Sequence, residues 1–413
     1  MFSYKYLSLF SGGGIGDIGF RRAGLNPIVF NELDSNRAEL IINNYPDSDV
    51  VVGDIKNNIK IISDSVSKRL QGEELFMIWA TPPCQGMSKN GMGTINKAIT
   101  DGKRNKIDER NYLYKYALTL IQHFHPIFFC WENVDRMFNT YLLDDSNQKV
   151  PFVNSFTQQL QEIGYFGKFE IHDMADYGLP QHRKRAIGVF VRQDCWNFKF
   201  DLNYMFPEKT IKDGNYKTVD ETIGLLPPLD SRSKELAKSD FHPLHYVPVS
   251  RPELYYWIEN TLPKHSAFEN NTCPECHHVS QKTSVFCEKC GTLLPKPVVK
   301  KNGEVRIIKG FVSTYKRMSG DEPAPTITTR SAYACSDKNI HPTQNRVLSL
   351  YEVALLFGID VNQYDWTINN NGIKKYANAT LLRDVLGEPV TPVYTFLLGK
   401  RLKEIVQDYM GLS

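Results

Sequence analysis

The chain has 413 residues, too many for a typical single domain, and its 41% hydrophobic and 23% charged residues are typical of a folded protein with a packed interior. Its net charge of +3 is too mild to indicate nucleic-acid binding, because many enzymes of small molecules carry a similar charge. No apolar run approaches the roughly 18 residues of a membrane span. The start MFSYKYLSLFSGGG lacks the features of a secretion signal, so we expect an intracellular protein without membrane contact.

β-rich runs alternate with helical stretches through about residue 200, which predicts an α/β sheet with helices on its faces. The runs are KYLSLF, PIVFNE, DVVVGD, LFMIWATPP, PIFFCWENV, KFEIHDM and RAIGVFVR. A helix packed on this sheet is predicted from apolar residues at helical spacing, namely Leu113, Tyr116, Ala117, Leu120, Ile121 and Phe124.

A glycine-rich turn follows the first run. Residues 7–16, LSLFSGGGIG, are typical of a strand, a turn and the start of a helix, and the glycines let the backbone approach a nucleotide-like ligand closely. Glu32 ends the next run, at a spacing where an acid can bind ribose hydroxyls, and Asp54 ends the third, where a carboxylate can accept from an adenine amine. A glycine-rich turn often has no function beyond reversing the chain, but the turn, Glu32 and Asp54 in this order favour a cofactor site.

A cysteine follows the fourth run, in the segment ATPPCQGMS. Two prolines and a glycine fix a rigid loop around Cys84 beyond a strand's carboxyl end, where α/β sheets place their sites. A lone cysteine is usually a small buried hydrophobe, but these flanks indicate an exposed, presented thiol. Residues 89–106 are glycine-rich and charged with little pattern, which predicts a mobile lid.

Charged residues end the fifth run and begin the last. We expect Glu132 of WENV to face the same crevice as Cys84, as an acid or a hydrogen-bond donor to a base, although a solvated loop acid is the alternative. In QHRKR, strand alternation places Arg183 and Arg185 on one face. Two arginines on a strand are ordinarily surface charge, so this pattern is weak by itself.

The character of the sequence changes after about residue 201. Prolines become more frequent and the periodicity breaks, until helical patterns return from Arg346 and in the last helix, where Leu398, Leu402, Ile405, Val406 and Tyr409 are the apolar positions. We therefore predict a first domain over 1–205, a second over 206–345, and a segment over 346–413 that returns to the first.

Four of the eight cysteines form two Cys-x-x-Cys pairs, and Cys290 is followed by glycine, as in a tight metal-binding turn. The pairs predict a structural zinc site in an insert over 273–290, because four thiolates leave no open coordination position. Disulfides are the alternative, and His277 or His278 in place of a cysteine is a minor variant. The predicted ligands are Cys273, Cys276, Cys287 and Cys290.

A basic run follows the cysteine pairs. Between Lys296 and Arg317 there are seven lysines or arginines and one acid, Glu304. Such a run is more often a solvated face than a phosphate-binding surface, and both interpretations stay open.

The chain resembles the carbon-5 DNA cytosine methyltransferases of restriction-modification type over nearly its whole length. The resemblance lies in the order of five motifs: FSGGG, PPCQG, WENV, QHRKR and a later R-x-L helix. The resemblance implies a Rossmann-like S-adenosylmethionine-dependent methyltransferase sheet with helices on both faces, plus a smaller irregular target-recognition domain. It implies methyl transfer from S-adenosylmethionine to carbon 5 of a cytosine flipped out of a specific duplex sequence. The implied partner is double-stranded DNA, bound by a monomer in the cytoplasm at the nucleoid; a companion restriction endonuclease is left open.

The resemblance also assigns catalytic roles. Cys84 matches the family cysteine that attacks carbon 6 of cytosine. Glu132 matches the glutamate that contacts N3 and the exocyclic amine and stabilises the adduct. Arg183 and Arg185 match arginines near the base's O2 and the catalytic acid, and Arg185 is the better match for O2.

Cofactor contacts follow from the same resemblance. They are Phe10 against adenine, the backbone of Ser11, Gly12 and on to Gly14 along the methionine part, Glu32 at the ribose, Asp54 at the adenine amine and Pro82 between the cofactor and base pockets. Two departures leave contacts open. Ile15 stands in place of the third family glycine, and Gly387-Glu388-Pro389-Val390 stands where the family has G-N-A-V.

The family keeps its target-recognition domain between QHRKR and R-x-L, and most members lack a zinc pair there. We expect the cysteine insert to stabilise an irregular domain. The alternative interpretation is that this region contacts DNA directly through the basic run. Arg330, at the end of PTITTR, is a further candidate for DNA contact.

Two alternatives to DNA methylation stay open. One branch of this fold family modifies transfer RNA with DNA-type motifs, and typical RNA enzymes carry their cysteine near WENV, where Cys130 lies; at the end of an apolar strand it more often packs in the core. The other is a catalytically silent DNA-binding relative, and the presence of Cys84, Glu132 and both arginines counts against it.

Overall fold

The computed structural model describes residues 3–83, 109–143, 148–195, 201–310, 313–336, 338–370 and 372–410. The strands before residue 195 are β1 (Lys5–Leu9), β2 (Asn26–Glu32), β3 (Asp49–Val52), β4 (Met77–Ala80), β5 (Phe128–Val134), β6 (Tyr141–Leu143), β7 (Lys149–Pro151), β8 (Tyr165–Asp173) and β9 (Lys184–Arg192). Each apolar run that was predicted as a strand lies on one of them. All except β6 and β7, which pair with each other, form one sheet in the order β3-β2-β1-β4-β5-β9-β8.

Strand direction determines where the functional motifs meet. β1 to β5 run parallel, and β9 lies antiparallel between β5 and β8. The carboxyl ends of parallel strands meet at one edge of a sheet, and an antiparallel strand begins at that edge. Residues that follow β1 to β5 and residues that precede β9 therefore lie close together.

Helices cover both faces of the sheet, which confirms the predicted α/β class. They are α1 (Asp17–Arg22), α2 (Ser35–Asn44), α3 (Ile55–Leu70), α4 (Tyr114–Phe124), α5 (Phe152–Glu162), α6 (Val219–Ile223), α7 (Pro252–Glu259), α8 (Leu350–Leu356), α9 (Ala379–Gly387) and α10 (Pro392–Ile405), the last continued by a π-helical turn over Val406–Met410. Within the described ranges, no helix is long and apolar enough to cross a membrane.

The sheet has a separate hydrophobic layer on each face. Leu7 and Leu9 of β1 pack in one layer with buried side chains of α3, α4 and α5. Tyr6 packs in the opposite layer with side chains of α1 and α10. At α4, Ala117, Leu120 and Ile121 of the predicted apolar stripe are buried, Leu113, Tyr116 and Phe124 are partly buried, and Tyr114, which was not predicted, is buried as well. Because successive side chains of a strand point to opposite faces, both layers depend on the same short strands.

The region between β9 and α8 is largely irregular, as its sequence predicted. It contains α6, α7 and a hairpin of β10 (Val298–Lys301) with β11 (Glu304–Ile307); a second hairpin, β12 (Thr367–Asn370) with β13 (Ile373–Tyr376), follows α8. Helix α10 packs on α1. The division of the chain at residues 205 and 345 stays a prediction.

A buried ion pair organises the chain around α8. Arg346 donates to both carboxylate oxygens of Glu352, each at 2.7 Å, and both side chains are fully buried. Glu352 also accepts from the Ser349 backbone amide at 2.8 Å, and Arg346 donates to the Leu229 carbonyl. Burial by itself would raise the pKa of Glu352, but Arg346 outweighs burial and holds the pKa below its usual value. The pair therefore links α8 to the irregular region.

Replacement of Glu352 by alanine tests this arrangement. The Arg346 guanidinium would remain buried without a partner charge, so we expect the free energy of unfolding to fall by about 3–5 kcal/mol. Asp64→Ala is the control, because it breaks an exposed ion pair with Lys60 whose contribution is at most about 1 kcal/mol. Urea unfolding curves measure both variants, and equal losses would contradict the importance of the buried pair.

Candidate functional site

A cavity of about 510 Å³ opens at the carboxyl edge of the sheet, within the size range of small-molecule sites. Segments that follow β1 to β5, the start of β9 and the end of α9 form its walls. The predicted residues that it brings together are Phe10, Ser11, Gly12, Glu32, Asp54, Pro82, Glu132 and Arg185.

The glycine-rich turn adopts a backbone that most residues avoid. Gly12 and Gly14 have positive φ values of +58° and +70°, as expected from glycine. Phe10 also has a positive φ, +59°, and its carbonyl accepts from the Thr81 hydroxyl at 3.0 Å. Strained conformations of this kind persist where the surroundings hold them and cluster at functional sites. Gly14 lies behind the turn and is not among the residues that line the cavity.

Glu32 is held in place by backbone amides. One carboxylate oxygen accepts from the Gly12 amide at 2.7 Å and the other from the Asp34 amide at 3.0 Å. Burial raises the pKa of Glu32, while these amides and the charge of Arg37 oppose the rise. The carboxylate thus joins the turn after β1 to the end of β2.

Asp54 is exposed at the neighbouring wall and caps the amino end of α3, accepting from the Lys56 amide at 3.0 Å. Such a cap aligns the carboxylate without using both oxygens.

Pro82 and Pro83 line the cavity beyond β4. The Pro82 carbonyl accepts from the Asn133 side-chain amide at 3.3 Å, so the loops after β4 and β5 are tied together. Asn133 was not predicted as a site residue, although its position in the WENV motif could have indicated it. Cys84 and the predicted lid over 89–106 lie outside the described residues.

Glu132 and Arg185 form a buried ion pair at the floor of the cavity. Glu132 lies on β5 and Arg185 on β9, where Arg185 pairs with Val134, and Arg185 Nε lies 2.9 Å from Glu132 Oε1. Burial raises the pKa of Glu132, and the positive charges of Arg185 and Arg183 oppose that rise. The carboxyl group can therefore hold a proton more readily than an exposed glutamate.

Arg183 and Arg185 are both buried, and the exposed side chains of His182 and Lys184 alternate with them, as one common face requires. Arg183 precedes the first residue of β9 and, unlike Arg185, is not among the residues that line the cavity. Its guanidinium is fully buried and donates to the carbonyls of Ile327, Gly387, Glu388 and Pro389. Arg183 thus fixes the wall of the cavity and acts on Glu132 through charge.

The carboxyl-terminal wall carries an ion pair that the sequence analysis missed. Glu388 and Pro389, from the segment that departs from G-N-A-V, line the cavity together with Arg37. Arg37 donates to Glu388 at 2.6 Å, although the two residues are 351 positions apart. Only tertiary structure brings Arg37 to this wall.

The four cysteines of the two Cys-x-x-Cys pairs lie together, with all sulfurs within 4.8 Å of one another. Two sulfur pairs, Cys273 with Cys290 and Cys276 with Cys287, are 3.5 Å apart, far longer than a disulfide bond of about 2.05 Å. Four thiolates at the usual zinc–sulfur distance of about 2.3 Å would be about 3.8 Å apart, so the donor set fits a tetrahedral ion. His277 and His278 do not belong to the cluster.

The two cysteine pairs repeat one backbone geometry. The amide of the first cysteine donates to the carbonyl five residues later in both, Cys273 to His278 and Cys287 to Thr292. The residue four positions after that cysteine has a positive φ in both turns, +55° at His277 and +77° at Gly291. His277 therefore adopts in the first turn the backbone conformation that glycine adopts in the second.

The basic run is not one surface, which corrects its simplest interpretation. Lys296 and Arg317 are buried; Lys296 donates to the carbonyls of Gln281, Lys282 and Ser284, and Arg317 donates to those of Thr261, Ile258 and His341. Both side chains therefore stabilise loops by donating hydrogen bonds to backbone carbonyls. The exposed part of the run is on or beside the β10–β11 hairpin and consists of Lys300, Lys301, Arg306 and Lys309.

The segment PTITTR lies beside the start of β9. The Ile327 amide donates to the Gln181 side chain at 3.0 Å, and the Thr326 hydroxyl donates to the His182 carbonyl at 2.8 Å. Arg330 is exposed a few residues further on. The irregular region is thus joined directly to the edge of the sheet that carries the cavity.

Comparison with known proteins agrees with this geometry. The sequence matches the C-5 cytosine-specific DNA methylase family over residues 4–403. It is 32% identical to the type II methyltransferase M1.HgaI of Avibacterium volantium over 94% of each chain, and 26% identical to the type II methyltransferase M1.HphI of Haemophilus parahaemolyticus over 86% of this chain and 77% of that protein.

A solved structure shares the fold. It is that of an Escherichia coli prophage protein assigned as a DNA modification methyltransferase, with a TM-score of 0.57, 20% identity and coverage of 98% of this chain and 99% of that one. Because the family match spans almost the whole chain and the family's motifs meet at one cavity, the chain belongs to the C-5 cytosine-specific DNA methylases, enzymes that transfer a methyl group from S-adenosylmethionine to cytosine in DNA.

Proposed function

We propose that methyl transfer takes place in the cavity at the carboxyl edge, with Cys84 as nucleophile and Glu132 and Arg185 as the groups that hold the target base. The buried Glu132–Arg185 pair at 2.9 Å is the observation that carries this proposal. It places a carboxyl group with a raised pKa beside a fixed cation, on the loop-bearing edge where Pro82 and Pro83 lead into Cys84.

The proposed steps balance charge around the pyrimidine ring. The Cys84 thiolate forms a bond to carbon 6, and the electron pair moves through the ring toward N3. A protonated Glu132 donates to N3, and Arg185 stabilises negative charge at O2. S-adenosylmethionine, when bound, would supply the methyl group to carbon 5 and leave as S-adenosylhomocysteine. A base then takes the carbon-5 proton, and the N3 proton returns to Glu132 as the bond between Cys84 and carbon 6 breaks and the double bond between carbons 5 and 6 re-forms.

The cofactor is proposed to occupy the part of the cavity between Phe10, Glu32 and Asp54. Glu32 is proposed to accept from the ribose hydroxyls and Asp54 from the adenine amine. Glu32 ends β2, Asp54 follows β3, these strands are parallel neighbours, and both carboxylates line one cavity. Arg183 is proposed to position the wall formed by residues 387–389 and not to contact the base.

The target cytosine must leave the duplex to reach Glu132, since carbon 6 is inaccessible to Cys84, and carbon 5 to the methyl donor, within stacked base pairs. Unstacking and unpairing the base in this way costs roughly a few kcal/mol. We propose that the lid over 89–106 and the irregular region over 206–345 supply the contacts that offset this cost.

The cysteine cluster is proposed to bind one structural zinc ion that staples the recognition domain. The sulfur spacing and the repeated turn geometry support this role. Lys300, Lys301, Arg306 and Lys309 are exposed and follow the cluster in the sequence, and they are the candidates for phosphate contact, with Arg330. In this proposal zinc supports the domain, and the exposed cations contact DNA.

Type II methyltransferases are the relatives of highest identity reported above, so we also propose a role in restriction-modification, as a monomer on duplex DNA beside a companion endonuclease. RNA methylation with Cys130 as the nucleophile is disfavoured. Its thiol is fully buried in the core layer with α1 and α10, and burial raises its pKa. A silent relative is disfavoured by the intact Glu132–Arg185 pair.

A duplex containing 5-fluorocytosine at the target position tests the nucleophile. Fluorine at carbon 5 cannot leave as a proton does, so we expect a covalent complex that survives denaturing electrophoresis and is absent with Cys84→Ser. Cys335→Ser changes an exposed cysteine outside the PPCQG motif; it is the control and should form the complex normally. A complex formed by Cys84→Ser would refute the assignment.

Glu132→Gln tests the electrostatic role. Glutamine preserves the shape but cannot donate a carboxylic proton, so we expect turnover to fall by about 100-fold or more, while binding of cofactor and DNA stays near wild type. Glu162→Gln changes an exposed glutamate on α5 and should leave turnover unchanged. Single-turnover methylation assays measure both, and unchanged turnover in Glu132→Gln would remove Glu132 from the mechanism.

Cys273→Ser tests the zinc assignment. Because metal binding and folding are linked in such modules, we expect loss of bound zinc and of specific DNA binding, while affinity for S-adenosylmethionine stays near wild type. Metal analysis, gel shifts and calorimetry measure these, again with Cys335→Ser as control. A variant that retains stoichiometric zinc, or loses cofactor and DNA affinity together, would contradict the proposal.

A further inference from the structure

Three buried hydroxyl groups donate hydrogen bonds to backbone carbonyls of the glycine-rich turn. The Tyr364 hydroxyl donates to the Gly13 carbonyl at 2.5 Å, and the Tyr45 hydroxyl donates to the Gly14 carbonyl at 2.6 Å. The Thr395 hydroxyl donates to the Gly16 carbonyl at 2.6 Å. Three neighbouring peptide groups are therefore oriented by side chains that come from three separate parts of the chain.

These hydroxyls stay protonated donors. Tyr45 and Tyr364 are 3% and 5% exposed, and burial raises the pKa of each phenol well above its usual value. A carbonyl buried without a donor is costly, so loss of any of these hydroxyls would favour a different orientation of the peptide group that it holds.

The two tyrosine rings are themselves fixed. Tyr45 packs against Phe30 with ring centroids 4.8 Å apart and lies under the Arg21 guanidinium at 4.7 Å. Tyr364 packs against Trp366 at 4.4 Å. Neither hydroxyl can follow the turn if it moves, so each acts as a fixed anchor.

The same packing explains two glycines. A Cβ atom on Gly13 would lie 3.1 Å from the Tyr364 hydroxyl oxygen and 3.2 Å from Val385, and one on Gly14 would lie 2.8 Å from the Tyr45 ring. Gly14 does not line the cavity, and its small size is required by the tyrosine beneath it. The two tyrosines therefore pack against the turn only because residues 13 and 14 have no side chain.

We propose that Tyr364 and Tyr45 are cofactor-positioning residues, whose hydroxyls set the backbone of residues 12–14 in the orientation that accepts the cofactor. Through Tyr364 and Thr395, the segment after α8 controls cofactor affinity from more than 340 positions away, without contact with the cofactor. The inference rests on the proposed cofactor role of residues 10–14.

Phenylalanine substitutions isolate the hydroxyls. We expect Tyr364→Phe and Tyr45→Phe each to raise the Kd for S-adenosylmethionine by about 5- to 30-fold, the scale of one unpaired buried group. KM for the cofactor should rise accordingly, while KM for DNA and kcat at saturation stay within about twofold. Calorimetry and steady-state kinetics measure these values.

Tyr165→Phe is the matched control. Its hydroxyl is also buried and donates to a backbone carbonyl, that of Pro126, at 2.6 Å, but on β8 at the far end of the sheet. It should lower the melting temperature as much as Tyr364→Phe does and leave cofactor affinity unchanged. If Tyr364→Phe and Tyr165→Phe bind the cofactor equally well, the inference is wrong.

Two further variants keep the outcomes distinguishable. Thr395→Val removes the third hydroxyl with little change of shape and provides a test if a tyrosine variant does not fold; it should also raise the Kd. Glu32→Gln tests the cofactor site itself. A Kd that rises in Glu32→Gln but not in the hydroxyl variants would overturn only this inference, whereas no change in Glu32→Gln would overturn the proposed cofactor site.

Discussion

The direction of the sheet strands is the constraint on which the site depends. β1 to β5 run parallel, so their carboxyl ends deliver Phe10, Glu32, Asp54, Pro82 and Glu132 to one edge, although up to 122 positions separate these residues in the sequence. The antiparallel β9 starts at the same edge and delivers Arg185 to Glu132. Reversal of β9 would carry that cation to the opposite edge and leave the buried carboxyl group without a partner.

The parts of the site that could be predicted from sequence are those set by local order along the chain. A strand followed by glycines, or by two prolines, fixes the place of the next residue relative to the sheet edge, so Phe10, Glu32 and Pro82 could be assigned to one cavity in advance. The paired cysteines were predictable for the same reason, since each pair forms within one turn. The alternation expected for Arg183 and Arg185 agrees with the burial of residues 181–185, but no sequence pattern indicated that the Arg183 guanidinium would donate to the carbonyls of residues 387–389 and not line the cavity.

The parts that could not be predicted are contacts between distant segments. Arg37 meets Glu388, Tyr364 meets Gly13, and Lys296 is buried among the carbonyls of residues 281–284 although it lies in a basic run. Composition suggests a solvated charge or a core aromatic at these positions, and only the packed structure shows what each group touches. The contacts of Glu388 and Tyr364 join the carboxyl-terminal segment to α2 and to the glycine-rich turn, so the two sides of the cavity depend on each other.

Methylation of carbon 5 of cytosine in DNA is the reaction that the proposed roles of Cys84, Glu132 and Arg185 serve. The most direct measurement incubates the protein with labelled S-adenosylmethionine and, separately, duplex DNA or transfer RNA, then identifies the modified nucleoside by mass spectrometry. We predict 5-methylcytosine in the duplex and no label in the RNA, with no product from Cys84→Ser. Label in the RNA alone, or a methyl group on a nitrogen of the base, would contradict the account.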